Sequence, residues 1–192
     1  MTTTDKPLFI PVLLGTVRQG RASEHVARFV HGEVVKREGV ETELIDLRDL
    51  NFPITDEGEA IKDANFSATI ERADGLVIVA PEYNHGYPGL LKHALDTNLK
   101  EYVHKAVGVC GVSASSFGGT RVIQSLLPVL RELGLVMTFF DGNFSNAGKL
   151  FDEHGKLLDE SFVRRTDKFL RELIWMSRTL RHGREHFKTT DA

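Results

Sequence analysis

Cysteine is almost missing from this chain. Cys110 is the only one in 192 residues, so no disulfide can form within the chain, and a reducing compartment is the expected setting. No run of about 18 apolar residues occurs, which argues against a membrane-spanning helix. The opening MTTTDKP lacks the basic start and apolar stretch of a secretory signal, so a cytoplasmic location is expected. Neither sign of charge dominates: 24 Lys and Arg stand against 27 Asp and Glu, a formal net charge of −3. That balance argues against a protein that binds nucleic acid through bulk charge. Internal repeats and low-complexity tracts are also absent. What remains is an ordinary globular composition, 41% apolar and 27% charged, sized for one domain spanning 1–192.

Apolar runs alternate with helical periodicity along the chain. Residues 8–14 form a short apolar run that stops at Gly15, the profile of a strand buried on both faces. Pro11 interrupts it, so the paired segment is expected to begin at Val12. Residues 24–38 carry Val26, Ala27, Val30 and Val34 on one helical face, with Lys36 and Arg37 in the last turn and Gly39 as the stop. A second strand is expected over 41–47, a polar loop over 51–60 and a helix over 63–73. LVIVA at 76–80 is the cleanest buried strand. A helix starting near Pro88 and running to about Asn98 follows. Residues 106–112 form a fourth strand. The next helix presents Val122, Ile123, Leu126, Leu127, Leu130 and Leu133, with Pro128 expected to kink it. A fifth strand is expected over 135–139, then a long helix over about 159–182 carrying Phe162, Phe169, Leu173, Met176 and Leu180. Five strands separated by helices imply a doubly wound parallel sheet with helices on both faces.

Ligands of such sheets bind beyond the carboxyl ends of the strands, and three loops there are unusual. Gly15-Thr16-Val17-Arg18-Gln19-Gly20-Arg21-Ala22-Ser23 turns small residues toward a helix start, with two arginines where the helix macrodipole favours anions. That pattern suits a bound dianion, although it is neither a Walker loop nor a Rossmann fingerprint; a solvated turn with two surface arginines is the alternative. Pro81-Glu82-Tyr83-Asn84-His85-Gly86-Tyr87-Pro88-Gly89 is stiff and aromatic, suited to the edge and face of a planar heterocycle, or else a turn whose tyrosines cover the core. Ser113-Ala114-Ser115-Ser116-Phe117-Gly118-Gly119 has paired glycines that permit close backbone approach to a ligand. Its start falls short of the G-x-S-x-G elbow of a serine hydrolase.

Taken together, GTVR, PEYN followed by G-x-P, and SFGG resemble the NAD(P)H-dependent FMN reductase family over about residues 8–134. The resemblance extends more loosely through 151–158 and the last helix. It implies a flavodoxin-like sheet of strand order 2-1-3-4-5. It also implies that the first loop, opened by Gly15, binds the FMN phosphate through Thr16, Arg18, Arg21 and Ser23. Many relatives have Ser and Asn where this chain has Arg21 and Ser23. Pro81, Glu82, Tyr83 and Asn84 are then expected to line the isoalloxazine, with Ser116, Gly118 and Gly119 beside its pyrimidine side. The implied reaction takes a hydride from NADPH or NADH and passes two electrons to a small acceptor: a quinone, an azo compound, free flavin or a metal oxyanion. No side chain is singled out as acid, base or nucleophile. The resemblance also implies a homodimer or homotetramer. The alternatives are a flavodoxin-type electron carrier and a flavin-bound redox sensor.

Other residues carry less. Cys110 reads as a small buried hydrophobe, His85 as a possible substrate contact, and Trp175 as a residue off the apolar stripe of its helix that could face a second subunit. His182-Gly183-Arg184-Glu185-His186 matches an H-x-x-E-H zinc pattern but sits at a helix end without a third ligand, so no metal site is expected.

Overall fold

The computed structural model describes residues 6–53 and 61–187. Its strands are β1 (Leu8–Phe9), β2 (Val12–Leu14), β3 (Val40–Glu41), β4 (Leu44–Asp46), β5 (Gly75–Pro81), β6 (Ala106–Val112), β7 (Val136–Met137) and β8 (Gly142–Phe144). The helices are α1 (Ser23–Val35), α2 (Ala64–Arg72), α3 (Gly89–Asp96), α4 (Thr120–Glu132) and α5 (Ser161–His186). The main sheet runs β4-β2-β5-β6-β7, with β8 joining β6 further along, and every pairing in it is parallel. β1 and β3 form a short parallel ladder of their own.

Alternation along the strands sorts the core into two layers. Val12, Leu14, Val77, Val79, Cys110 and Val112 face α1 and α5, where they meet Val26, Val30, Phe169 and Leu173. Leu13, Leu76, Ile78, Ala80, Val107 and Val109 face the other way, against Phe66, Leu91, Leu95, Val122 and Leu126 of α2, α3 and α4. Each fully buried side chain of this kind contributes about 1.5–3 kcal/mol.

Pairing in the main sheet begins at Val12, as expected; Leu8 and Phe9 pair separately with β3, the Ile10 N–H donates to the Glu41 carbonyl at 2.9 Å, and the Pro11 carbonyl accepts the Val77 N–H at 3.0 Å. Two of the expected strands need adjusting. The second strand starts one residue early and is broken between β3 and β4. The fifth strand shortens to Val136–Met137 but resumes as β8, which has no apolar run and owes its place to pairing with Cys110, Gly111 and Val112. α4 runs on through Pro128 without a break. The helix expected over 63–73 is found with Asp63 as its cap, the carboxylate accepting the Phe66 N–H at 2.9 Å. Of the expected loop at 51–60, residues 54–60 lie outside the described residues. No helix among the described residues is long and apolar enough to cross a membrane.

All carboxyl ends of the strands open on one edge of the sheet. At the opposite edge Asp74 accepts from the Phe9 N–H at 3.1 Å and from Arg184 at 2.9 Å, with Arg181 at 3.4 Å, so α5 is pinned to the start of β5.

Candidate functional site

Beyond the carboxyl ends of β2, β5 and β6 lies a cleft of about 340 Å³. Arg18–Ser23 form one wall, Pro81–Tyr83 and Val112–Ala114 the floor and far side, and Ala147 and Gly148 close it. Two of the three loops predicted from sequence therefore converge with the start of the third.

The first loop is held by a network within the protein. Gly15 sits where a Cβ would lie 2.9 Å from Leu91 Cδ2 and 3.1 Å from the Val79 carbonyl, so its role is close packing against β5 and α3. Thr16, 2% exposed, shares a hydrogen bond of 3.1 Å with the Tyr83 hydroxyl, and its Oγ1 accepts the Arg18 N–H. Arg21 lines the cleft, but its guanidinium turns back to the Thr16 carbonyl and the Asp46 carboxylate. Burial alone would raise the Asp46 pKa; the hydrogen bonds from Arg21 and from the Arg48 N–H outweigh it and hold the carboxyl below its ordinary value. Arg48, thirty residues away in sequence, donates to the carbonyls of Val17 and Arg18 at 3.1 and 2.6 Å. Sequence reading missed Asp46 and Arg48, and no local signal marks them.

The helix that follows begins without a side-chain cap, because Ala22 stands at its N-cap. Its first-turn N–H groups therefore lack the acceptor a Ser or Asp would supply. Ser23, the first helical residue, is 2% exposed, lines the cleft, and has a buried hydroxyl with no hydrogen-bond partner. Arg18 is exposed on the same wall, 5.8 Å above the Tyr83 ring, with no carboxylate partner among the described residues. An uncapped helix start, an orphaned hydroxyl and an uncompensated guanidinium together make an anion site.

The second loop turns tightly. Tyr83 and Gly86 exchange hydrogen bonds of 3.0 and 2.9 Å, with Asn84 and His85 between them at φ +49° and +66°. This is the two-residue hairpin that positive φ at both central positions allows. Asn84 and His85 are exposed at its tip and outside the cleft lining. Glu82 lines the cleft, yet its carboxylate is spent on Arg121, accepting from the N–H at 3.2 Å and the guanidinium at 3.1 Å.

The third loop departs most from expectation. Ser116 is exposed and does not line the cleft. Gly118 and Gly119 are buried with φ of +62° and +74°. A Cβ on Gly119 would lie 2.4 Å from the backbone of Gly111 and Val112, and one on Gly118 would lie 3.0 Å from Asn143. The close approach these glycines permit is to β6 and β8 rather than into the cleft. Ala147 and Gly148, which follow β8, escaped sequence reading because that strand was not foreseen.

Among the remaining residues, Cys110 is fully buried, and burial pushes its thiol well above the ordinary value. His182 and His186 stack with ring centroids 4.1 Å apart, and no group of three metal-ligating side chains occurs among the described residues. Trp175 is exposed on α5.

Residues 10–149 match the NADPH-dependent FMN reductase family. The chain belongs to that family. A quinone reductase from Pseudomonas putida is 28% identical over 161 residues, 79% of this chain and 86% of that protein. Two solved structures share the flavodoxin-like fold. The NAD(P)H:(acceptor) oxidoreductase flavoenzyme of Paracoccus denitrificans has a TM-score of 0.74 at 20% identity, covering 89% of this chain and 98% of its own. Oxidised flavodoxin from Bacillus cereus has a TM-score of 0.56 at 17% identity, covering 87% of this chain and 97% of its own. As a member of the FMN reductase family, the chain is an oxidoreductase with FMN as cofactor and a nicotinamide dinucleotide as electron source. The residues at the start of α1 fit the phosphate of that cofactor.

Proposed function

We propose that this chain reduces small planar acceptors, quinones foremost, and holds the FMN phosphate at the start of α1. The observation that carries the reading is the buried, unpartnered Ser23 hydroxyl beside an uncapped helix end and the unpaired Arg18. Ser23, Arg18 and the first N–H groups of α1 bind the phosphate, and Thr16 holds the loop to Tyr83. Arg21 acts from behind, clamping the loop to Asp46 so that its backbone keeps its shape. FMN, when bound, supplies the two-electron chemistry, taking a hydride from the nicotinamide and passing two electrons on. The overall balance is NADPH, a proton and a quinone giving NADP⁺ and the hydroquinone.

Backbone groups of Pro81, Glu82 and Tyr83, and of Val112, Ser113 and Ala114 at the start of the third loop, border the ring of the cofactor; Asn84, Ser116, Gly118 and Gly119 have no place in that lining. Their fixed dipoles stabilise charge that develops there, without a dedicated acid or base. Quinone is favoured by the Pseudomonas relative named a quinone reductase. The protein is read as a single-domain, cytoplasmic homodimer or homotetramer, on the family resemblance and the lone cysteine; light scattering on the purified protein tests the assembly. The function is tested by a visible spectrum followed by anaerobic NADPH and then NADH. Flavin bands that bleach without any partner protein are expected. A flavin that stays oxidised with both nucleotides would leave the electron-carrier reading in its place.

A further inference from the structure

Phe117 at the tip of the third loop is 56% exposed, although burying such a ring is worth about 1.5–3 kcal/mol. It is not loose. The Arg121 guanidinium lies 4.3 Å over its ring, a cation–π contact. Arg121 is in turn fixed by Glu82, whose side chain is 8% exposed and whose own N–H bonds the Val112 carbonyl at 2.8 Å. A chain of contacts therefore runs from Glu82 in the cleft lining through Arg121 to an open aromatic ring just outside that lining. Glu82 engages only Nη1 of the guanidinium, so Nε and Nη2 stay available as donors beside that ring.

We propose that Phe117 and Arg121, positioned by Glu82, form the recognition platform for the electron acceptor. The ring stacks on a planar aromatic molecule, and the guanidinium takes its carbonyl oxygen or an anionic substituent. The acceptor class is therefore a planar quinone bearing negative charge, bound better than an uncharged quinone of the same shape. This rests on the function proposed above, and the experiment separates the two.

The probes are anthraquinone-2-sulfonate, menadione and ferricyanide, each with NADPH as donor, in the wild type and in Phe117→Ala and Glu82→Gln. In Phe117→Ala the KM for both quinones rises about tenfold, while that for non-planar ferricyanide moves less than twofold. In Glu82→Gln the neutral amide holds the guanidinium less firmly, and the sulfonated quinone loses more than menadione. Calorimetric binding of anthraquinone-2-sulfonate to the oxidised, FMN-loaded protein weakens in parallel, a readout independent of turnover. Because Phe117 is exposed, its alanine variant folds, and an unchanged flavin spectrum verifies this. Quinone KM values unchanged in Phe117→Ala overturn the platform alone. A change in oligomeric mass without a change in quinone KM also overturns it, assigning the ring to a subunit contact. A wild-type protein whose flavin neither NADPH nor NADH reduces overturns both proposals.

Discussion

Two helix starts flank the cleft and treat their orphan N–H groups in opposite ways. At α4, Gly119 turns the chain through a left-handed conformation and Glu82 reaches across from another loop to accept the Arg121 N–H. The carboxylate there does what a bound anion would do, so the end is satisfied and serves as scaffold. At α1 no side chain caps the helix, Ser23 keeps a buried hydroxyl without a partner, and Arg18 has no carboxylate. Leaving a buried hydroxyl unpaired costs about 1–3 kcal/mol, a cost that a ligand bound there offsets. Buried hydroxyls of Ser67, Tyr102 and Ser177 also lack partners, so what marks the ligand end is the conjunction, in one cleft, of an unpaired hydroxyl, an uncapped helix start and an arginine without a carboxylate.

The one acidic side chain in the first turn of α1, Glu24, is paired with Arg21 and Arg28, and the comparison breaks if a carboxylate is placed at the N-cap itself. In Ala22→Asp a carboxylate occupies the helix start and repels a phosphate dianion bound there. FMN affinity falls on the order of 1,000-fold, and the apoprotein becomes more stable by about 0.5–1 kcal/mol. Fluorescence titration and thermal melts of the apoprotein read the two effects. Arg18→Ala removes one charge-assisted contact and weakens FMN binding by about 1.5–3 kcal/mol; retention of FMN through dialysis at wild-type affinity would contradict the assignment.

Asp46→Asn sharpens the comparison from behind the loop, because it removes one of the two carboxylates that Arg21 pairs with and leaves Glu24 at 3.5 Å. About 1–2 kcal/mol of stability is lost at neutral pH. Asp46 has its carboxyl held below the ordinary value in the fold, so its contribution is present above the unfolded pKa and fades as pH falls through the folded one. The melting temperatures of wild type and variant therefore converge in acid, and a constant gap would count against the clamp. Smallest of all is Cys110→Ala. The thiol is buried and held protonated, so turnover stays at the wild-type level. A folded, flavin-loaded but inactive variant would mean the thiol has a redox role.

Much of the scaffold was legible because it depends on local patterns. The unbroken apolar run at 76–80, the apolar strand at 106–112 and the apolar face of 24–38 all describe forces acting within a few residues. The unread parts are those that distance controls. β8 has no apolar run, yet it pairs with β6 and brings Ala147 and Gly148 to the cleft. Arg48 braces Val17 and Arg18 from 30 residues away, and Glu82 meets Arg121 across 39. The three loops were recognised as unusual, but the sharing of labour among them was not. Arg21, Glu82, Gly118 and Gly119 spend their side chains or their freedom on the protein itself. Thr16 likewise spends its hydroxyl on Tyr83 and the Arg18 N–H, which leaves Arg18 and Ser23 as the members whose geometry remains directed at a ligand.

The central claim is that the start of α1 exists to hold the phosphate of FMN. The most direct test is to titrate the apoprotein with FMN and with riboflavin, which carries the same ring system without the phosphate. The account predicts binding of FMN at least 100-fold tighter, about 2.7 kcal/mol, with the gap narrowing in Arg18→Ala and closing in Ala22→Asp. Equal affinity for the two molecules in the wild type would contradict it.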